Sequence, residues 1–455
     1  MVTPANASEY RMKRHLLVCT IVVAIVATLL GGCTPASTKP AGSSSVAPPQ
    51  AGPPSFGVSQ LNDFVPHTAQ AFSDGVAGIG ESAADASGTG VPALAVPLGG
   101  TKWQLVKVGS APRLVTGAAE MGRSRVVVGM TAPGAPGVAQ VPFSAASRAG
   151  GPYAVNDLGG LFGGRSAQIK GVVLDGDLTD STSVLLAAGV MQRSGAGPLG
   201  TPAGTDSFAI VSRDEGKTWS APTVLPLPRG IVGAEAMSVT RSPHSTAFPG
   251  ALVVGRGWTT DTKTDPDGRQ VVILWGSLNS GKTWKVIADS SFSLKGTDLV
   301  PRFIAADDSR IVVLGTASIP PAKRDAPTEQ RTVWWSADGS GVWTVGGDEI
   351  NLRPNESSVP TALLARGDGG FLSAREVYNT ADGPYVSGGA ITGNPTAYVA
   401  FSPDGVTGQA VGSAPNPAST ALVDGLAEFG SHIALFGVDR SMHSQVWVID
   451  GTAVQ

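Results

Sequence analysis

The chain has 455 residues, of which 42% are hydrophobic and only 15% charged, with 60 Gly and 34 Pro. Turn formers are too frequent and charges too few for a helix-rich chain, so the composition points to a mostly β protein, built as two or three ordinary domains or as one large repeat fold. The formal net charge of −3 provides no basic field for a phosphate backbone, which argues against nucleic acid as a partner.

The chain opens with a positive segment, Arg11, Lys13, Arg14 and His15, followed by an apolar run from Leu16 to Leu30. A membrane-spanning helix needs roughly twenty apolar residues, so this shorter run suits a signal peptide. The tail Leu30-Gly31-Gly32-Cys33 resembles the lipobox of bacterial lipoproteins. That resemblance implies cleavage between Gly32 and Cys33, acylation of Cys33, and an extracytoplasmic domain tied to the bilayer. The compact leader begins at Met12, which suggests that translation starts there. Residues 1–32 carry three cations and one anion, so their loss leaves a net charge of −5. Cys19 departs with them, so the exported domain holds no internal disulfide and depends on core burial.

Residues 33–56 read as a Pro/Ser/Ala-rich tether behind the lipidated cysteine. Residues 57–102, weakly patterned and rich in Gly and Ala, read as an irregular segment packed on the main domain. From residue 103 to residue 455 a unit repeats, with three short apolar or alternating runs separated by turns and the third ending in a Ser-x-Asp type turn. "EAMSVT", "ALVVGRGW" and "QVVILWGS" form one such set; "RFIAAD", "RIVVLGTA" and "RTVWWS" form another. The serines that open the turns, Ser212, Ser277, Ser336 and Ser402, lie about sixty residues apart.

These turns resemble the Asp-box, or BNR repeat, of sialidase-like β-propellers. Ser212, Asp214, Gly216, Thr218 and Trp219 match the pattern fully. Ser277, Gly281, Thr283 and Trp284 match it with Asn279 in place of the aspartate; Ser336, Asp338 and Trp343, and then Ser402 and Asp404, are worn copies. Gly216 and Gly281 supply the positive φ a tight hairpin needs, and the aspartate accepts hydrogen bonds from the turn's own amides. The resemblance implies an all-β propeller of four-stranded antiparallel blades, and counting the units from Trp103 to Gln455 gives about six blades, with seven as the alternative if Gly57–Thr101 holds further strands. The last unit supplies only three strands, so the "WQLVKVG" strand at Trp103–Gly109 is expected to complete it and close the ring.

Gly276 to Thr283 also satisfies the P-loop pattern, but that motif must open a helix, and "TWKVIAD" reads as a strand. No nucleotide or other cofactor is expected, and no metal site. "RGD" at Arg366–Asp368 reads as a Gly-rich turn, and Asp175-Gly176-Asp177 as a hairpin turn.

Long loops between second and third strands mark the face opposite the Ser–Asp turns, and a rigid ring usually binds through such loops. Arg193, Arg256, Trp258, Arg375, Glu376, Tyr378, Asp439 and Arg440 stand where second strands enter them and form the candidate binding face. Arginines from several blades with a Glu and a Tyr resemble a sialidase site, in which three arginines hold a carboxylate through bidentate contacts. The sialidase Phe-Arg-Ile-Pro motif is absent, and no residue is assigned a catalytic role. The sequence therefore favours binding of a glycan, cell-wall component or envelope protein without catalysis. The alternatives are a diverged sialidase-like glycoside hydrolase and an assembly factor for an envelope complex.

Overall fold

A computed structural model describes residues 57–82, 91–99, 102–108, 114–122, 124–142, 153, 155–176, 182–194, 204–242, 248–259, 270–289, 299–319, 329–338, 341–347, 352–353, 355–380, 386–387, 390–391, 395–411, 420–441 and 443–454. The expected signal peptide, Cys33 and the tether lie outside these residues, as do most of the long loops between second and third strands.

The described residues form seven four-stranded antiparallel sheets arranged as the blades of a propeller. Among the described residues the first strand is β1 (Gly57–Leu61), and blade 1 follows as β2 (Phe64–Phe72), β3 (Gly75–Ser82), β4 (Val91–Gly99) and β5 (Lys102–Lys107). Blade 2 holds β6 (Leu114–Met121), β7 (Ser124–Ala132), β8 (Ala135–Pro142) and β9 (Val155–Asp157); blade 3 holds β10 (Ala167–Asp175), β11 (Val184–Gln192), β12 (Thr205–Ser212) and β13 (Thr223–Val224). Blade 4 follows as β14 (Ile231–Arg241), β15 (Ala251–Thr259), β16 (Gln270–Ser277) and β17 (Lys285–Ala288), and blade 5 as β18 (Leu299–Ala306), β19 (Arg310–Ile319), β20 (Glu329–Asp338) and β21 (Trp343–Gly347). Blade 6 pairs β22 (Glu356–Ala365) and β23 (Phe371–Asn379) with β26 (Thr396–Ser402) and β27 (Gln409–Ala410), across a small ribbon of β24 (Val386–Ser387) and β25 (Ala390–Ile391). Blade 7 is β28 (Thr420–Phe429), β29 (His432–Asp439) and β30 (Ser444–Asp450), completed by β1.

The blade count is therefore seven, the alternative left open by the sequence, and not six. Two expectations change with it. The described part of residues 57–102 is almost wholly strand, β1 in blade 7 and β2 to β5 in blade 1, and Trp103 belongs to β5, the outer strand of blade 1. The ring is closed by β1, which pairs with β30 from Gly57↔Val448 to Leu61↔Ser444. Closure by an N-terminal strand removes the open edge of the last sheet, as expected, but with an earlier segment.

Small residues hid blade 1 because that blade needs them. A Cβ on Gly78 would stand 2.5 Å from the Phe436 ring of blade 7, so the Gly/Ala-rich strands are fitted to close sheet packing. The core is divided into seven hydrophobic clusters, one at each blade interface, such as Ile79, Leu94 and Val127 between blades 1 and 2.

The Ser–Asp turns are braces between blades. Ser212 Oγ donates to Asp214 at 2.9 Å and accepts from the Gly216 amide at 2.9 Å, while Asp214 accepts from the Thr218 amide at 2.8 Å and hydroxyl at 2.6 Å. Trp219 donates to the Gly216 carbonyl at 3.1 Å and fills the cluster between blades 2 and 3. Asn279 reproduces this network at the next turn, taking the Thr283 amide at 2.8 Å and giving its own amide to the Thr283 hydroxyl at 2.8 Å. Burial opposes ionisation of Asp214, but the bonds from Thr218 and Ser212 together outweigh it and hold the carboxyl below its ordinary value. Asp404 behaves likewise through Val406, Thr407 and Ser402.

Candidate functional site

Each innermost strand carries a β-bulge, an extra residue that turns a side chain out of the regular alternation. One such extra residue recurs in every blade, as His67, Thr116, Lys170, Met237, Arg302, Thr361 and Asp424, and the first strands of blades 4 and 7 carry a second register shift nearer their start, at positions 232 and 421. The seven recurring residues stand at one level of the ring, around a central channel of about 770 Å³ whose lining includes His67, Thr116, Lys170, Met237 and Arg302. The same lining mixes apolar side chains, such as Phe72, Val239, Phe303 and Leu363, with polar ones such as Gln70, Ser238, Thr240 and Arg241.

Opposite each bulge the second strand holds a column of its own. The residue preceding the bulge is paired with Gly80, Gly129, Gly189, Gly255, Gly315 and Gly437 in six blades, and with Arg375 in blade 6. The glycines admit a first-strand carbonyl: a Cβ would lie 2.0 Å from the Val65 oxygen at Gly80, the Gln168 oxygen at Gly189 and the Leu422 oxygen at Gly437. Arg375 breaks this column with a guanidinium that is fully buried, donates to Ser373 at 3.0 Å, and has its pKa pushed down to about 9 by burial.

The charges of this level meet in two groups. Glu235 accepts from Arg256 Nε at 2.8 Å and Nη2 at 2.6 Å, and its other oxygen lies 3.2 Å from Lys170 Nζ, which reaches across from blade 3. Burial alone would raise the Glu235 pKa; Lys170 and Arg256 reverse that and keep the carboxylate ionised. Arg256 also lies over the Trp258 ring, 5.1 Å from its centroid. On blade 1, His67 Nε2 stands 3.4 Å from Glu81, both buried.

Of the residues singled out by the sequence, Arg256 and Trp258 come together, and Arg375 and Glu376 are buried on opposite faces of β23. The other four do different work. Arg193 clamps Asp206 and the Val232 carbonyl, tying blade 3 to blade 4. Asp439 accepts from the Ser441 and His443 amides and from Gln445, shaping the end of β29, while Tyr378 is half-buried and Arg440 exposed. His67, Glu81, Lys170, Glu235, Arg302 and Asp424 were missed. For the bulged residues among them the signal is a polar side chain at the bulge offset of the first strand, as in Ile169-Lys170-Gly171 and Val423-Asp424-Gly425, whereas Glu235 precedes its bulge by two residues and Glu81 lies on a second strand, so neither carries it.

Two other motifs prove structural. The segment after Gly281-Lys282-Thr283 is strand β17, so no helix N-terminus faces that loop. Arg366 of the "RGD" turn is buried, paired with Asp368 and Glu428, and donates to the Gly451 carbonyl at 2.8 Å and the Val454 carbonyl at 2.5 Å. Asp177 lies outside the described residues. Among the described residues no group of three or more His, Cys, Asp or Glu is placed to hold a metal ion.

The fold and its channel define a seven-bladed β-propeller whose axial channel is lined in part by His67, Lys170 and Arg302. No protein-family model matches the chain, and no curated protein does. Among solved structures it is similar to a Hadza microbial sialidase, at 12% identity and a TM-score of 0.44 over 80% of this chain and 74% of that one. It is also similar to a Penicillium chrysogenum α-L-arabinanase complexed with arabinobiose (17%, TM-score 0.35, 60% of this chain and 91% of that one) and to Kuenenia stuttgartiensis hydrazine synthase (11%, TM-score 0.46, 86% and 96%). At these identities the likeness is one of fold, and the three named activities differ from one another.

Proposed function

We propose that this protein is an extracytoplasmic lipoprotein, anchored by acylated Cys33, whose propeller binds a glycan, cell-wall component or envelope protein at its axial channel without catalysis. The observation that supports a binder over a sialidase-like hydrolase is the state of the arginines. Arg256 is 3% exposed and neutralised by Glu235, and Arg375 is 0% exposed, so neither presents a free fork to a substrate carboxylate. A catalytic carboxyl is usually tuned toward neutral pH, whereas Glu235 is pulled the other way and serves as a fixed counter-ion. The channel's volume falls within the range of small-ligand sites, with an apolar wall and a few charged groups to fix orientation.

The test is a glycan array together with a panel of synthetic glycosides, run on the processed protein in detergent. Retention of a glycan with no glycoside turnover is the expected result, and Lys170→Ala should weaken that retention. Turnover that disappears in Arg256→Ala would replace this reading with a diverged glycosidase. Silence in both assays would move the ligand from glycans to envelope proteins.

A further inference from the structure

We propose that the turn face beneath blades 3 to 5 rests on an anionic lipid surface, so that the opposite mouth of the channel points away from the membrane. The proposal takes from the lipid-anchored reading only the nearness of a bilayer.

Three observations place this face. First, the Ser–Asp turns share it with the turns between first and second strands, because Glu215 of the blade 3 turn accepts from Ser124, next to the β6–β7 turn, at 3.2 Å. Second, the chain enters the propeller there. Gly57 is paired with Val448 near the end of β30 that leads to Gly451, and Gly451 is bonded to Arg366 of the β22–β23 turn. The segment from Thr34 to Phe56 reaches at most about 80 Å when extended, enough for either face to meet the bilayer, so entry alone does not orient the molecule.

The third observation selects the orientation. Leu278 is 80% exposed at the tip of the blade 4 turn, and Val342 is 66% exposed on the blade 5 turn. Arg213 and Lys217 flank them on blade 3, and Lys282 and Lys285 on blade 4, all exposed. The acids of the blade 3 turn are half-buried and bonded inward, Asp214 to Thr218 and Glu215 to Ser124, and the blade 4 turn carries neutral Asn279 instead. Asp338 is the exposed acid on these three turns, and the β18–β19 turn of the same face adds the exposed Asp308, so the unopposed cations are concentrated under blades 3 and 4. Single apolar side chains on convex turn tips, with Arg213, Lys217, Lys282 and Lys285 on the blade 3 and blade 4 turns, suit the headgroup and acyl boundary of a bilayer and offer no flat apolar area for a protein partner. Leu278 takes no part in the turn's hydrogen bonds, which run through Ser277, Asn279, Gly281 and Thr283, so its exposure is not required by the turn.

The test is hydrogen–deuterium exchange on the full processed chain, mixed with vesicles of phosphatidylcholine alone or of phosphatidylcholine and phosphatidylglycerol in equal parts. In the anionic vesicles the amides of residues 213–218 and 278–283 should exchange at least about tenfold more slowly, and high salt should remove the effect. Strand ends on the other face, at Gln192 and Trp258, should not change. The combination Lys217→Glu, Lys282→Glu and Leu278→Ser should abolish the slowing, with an unchanged melting temperature showing that the turns are intact. Equal exchange in the two vesicle types, or slowing on the opposite face, overturns the proposal. Detergent phase partition of the same protein and of Cys33→Ala tests the anchor separately, since a protein that stays in the aqueous phase refutes the anchor and leaves the vesicle result standing.

Discussion

Glu235 and Arg256 face each other across the first two strands of blade 4, joined by hydrogen bonds of 2.8 and 2.6 Å with both side chains almost wholly out of water. Lys170 brings the same carboxylate a second cation from blade 3. The group is thus a tie between blades, with Lys170 also lining the channel, and a buried carboxylate so held makes two cations acceptable in a low-dielectric place.

Glu235→Gln should therefore destabilise the fold by about 3–5 kcal/mol at pH 7, because it leaves buried cations without their counter-charge. The Glu235 carboxyl is lowered in the folded state, so its contribution is present above the unfolded value of about 4.3 and is lost as pH falls through the folded value. Urea unfolding of both proteins from pH 7 to pH 3 should show a gap that holds to about pH 5 and then narrows. A gap independent of pH would mean that the glutamine disturbs packing and not charge.

The two best-matched turns make a controlled comparison. Asn279 holds the Thr283 amide at the same 2.8 Å at which Asp214 holds the Thr218 amide. Asp214→Asn should cost under about 0.5 kcal/mol, whereas Asp214→Ala, which orphans the turn amides, should cost about 1–2 kcal/mol after allowance for the turn's exposure. Thermal unfolding of the pair decides it, and equal losses would show that the charge matters more than the geometry.

These turns were the most legible part of the fold because their residues are bound to one another within eight positions, and local bonding leaves a local pattern. Blade 1 was illegible for the opposite reason. Gly78 and Gly80 are dictated by Phe436, some 350 residues away, and by the Val65 carbonyl, so the strand carries little apolar alternation to read. The site was half legible. Arg256, Trp258, Arg375 and Glu376 were named from strand 2, but the bulged residues of strand 1 acquire their common level only through pairing registers, which no single strand displays.

Closure of the ring is a further point of weakness. Leu61 is 5% exposed and packs with Phe64, Val76 and Val446 between blades 7 and 1, and Ser444 donates to the Phe64 carbonyl. Leu61→Ala should cost about 2–3 kcal/mol, and a chain begun at Asn62 should expose the β30 edge and self-associate. Melting temperature and light scattering test the two in turn; a monomeric truncated chain of unchanged stability would show that β1 is dispensable.

Arg375 makes the sharpest case, because six blades place glycine where it stands. Burial lowers its folded pKa to about 9, while in the unfolded chain the guanidinium keeps its proton to far higher pH. Between those values the unfolded state binds more protons, so unfolding free energy should rise with pH, and below about pH 9 the buried charge is a standing cost. Measured against Arg375→Met, which keeps most of the volume without the charge, the native protein should gain on the order of 2 kcal/mol between pH 9 and pH 11. At pH 7 the methionine variant should be at least as stable as the native chain, as when a buried charge yields to an apolar side chain of similar size. Parallel pH curves would instead show that the guanidinium stays protonated in the fold across this range.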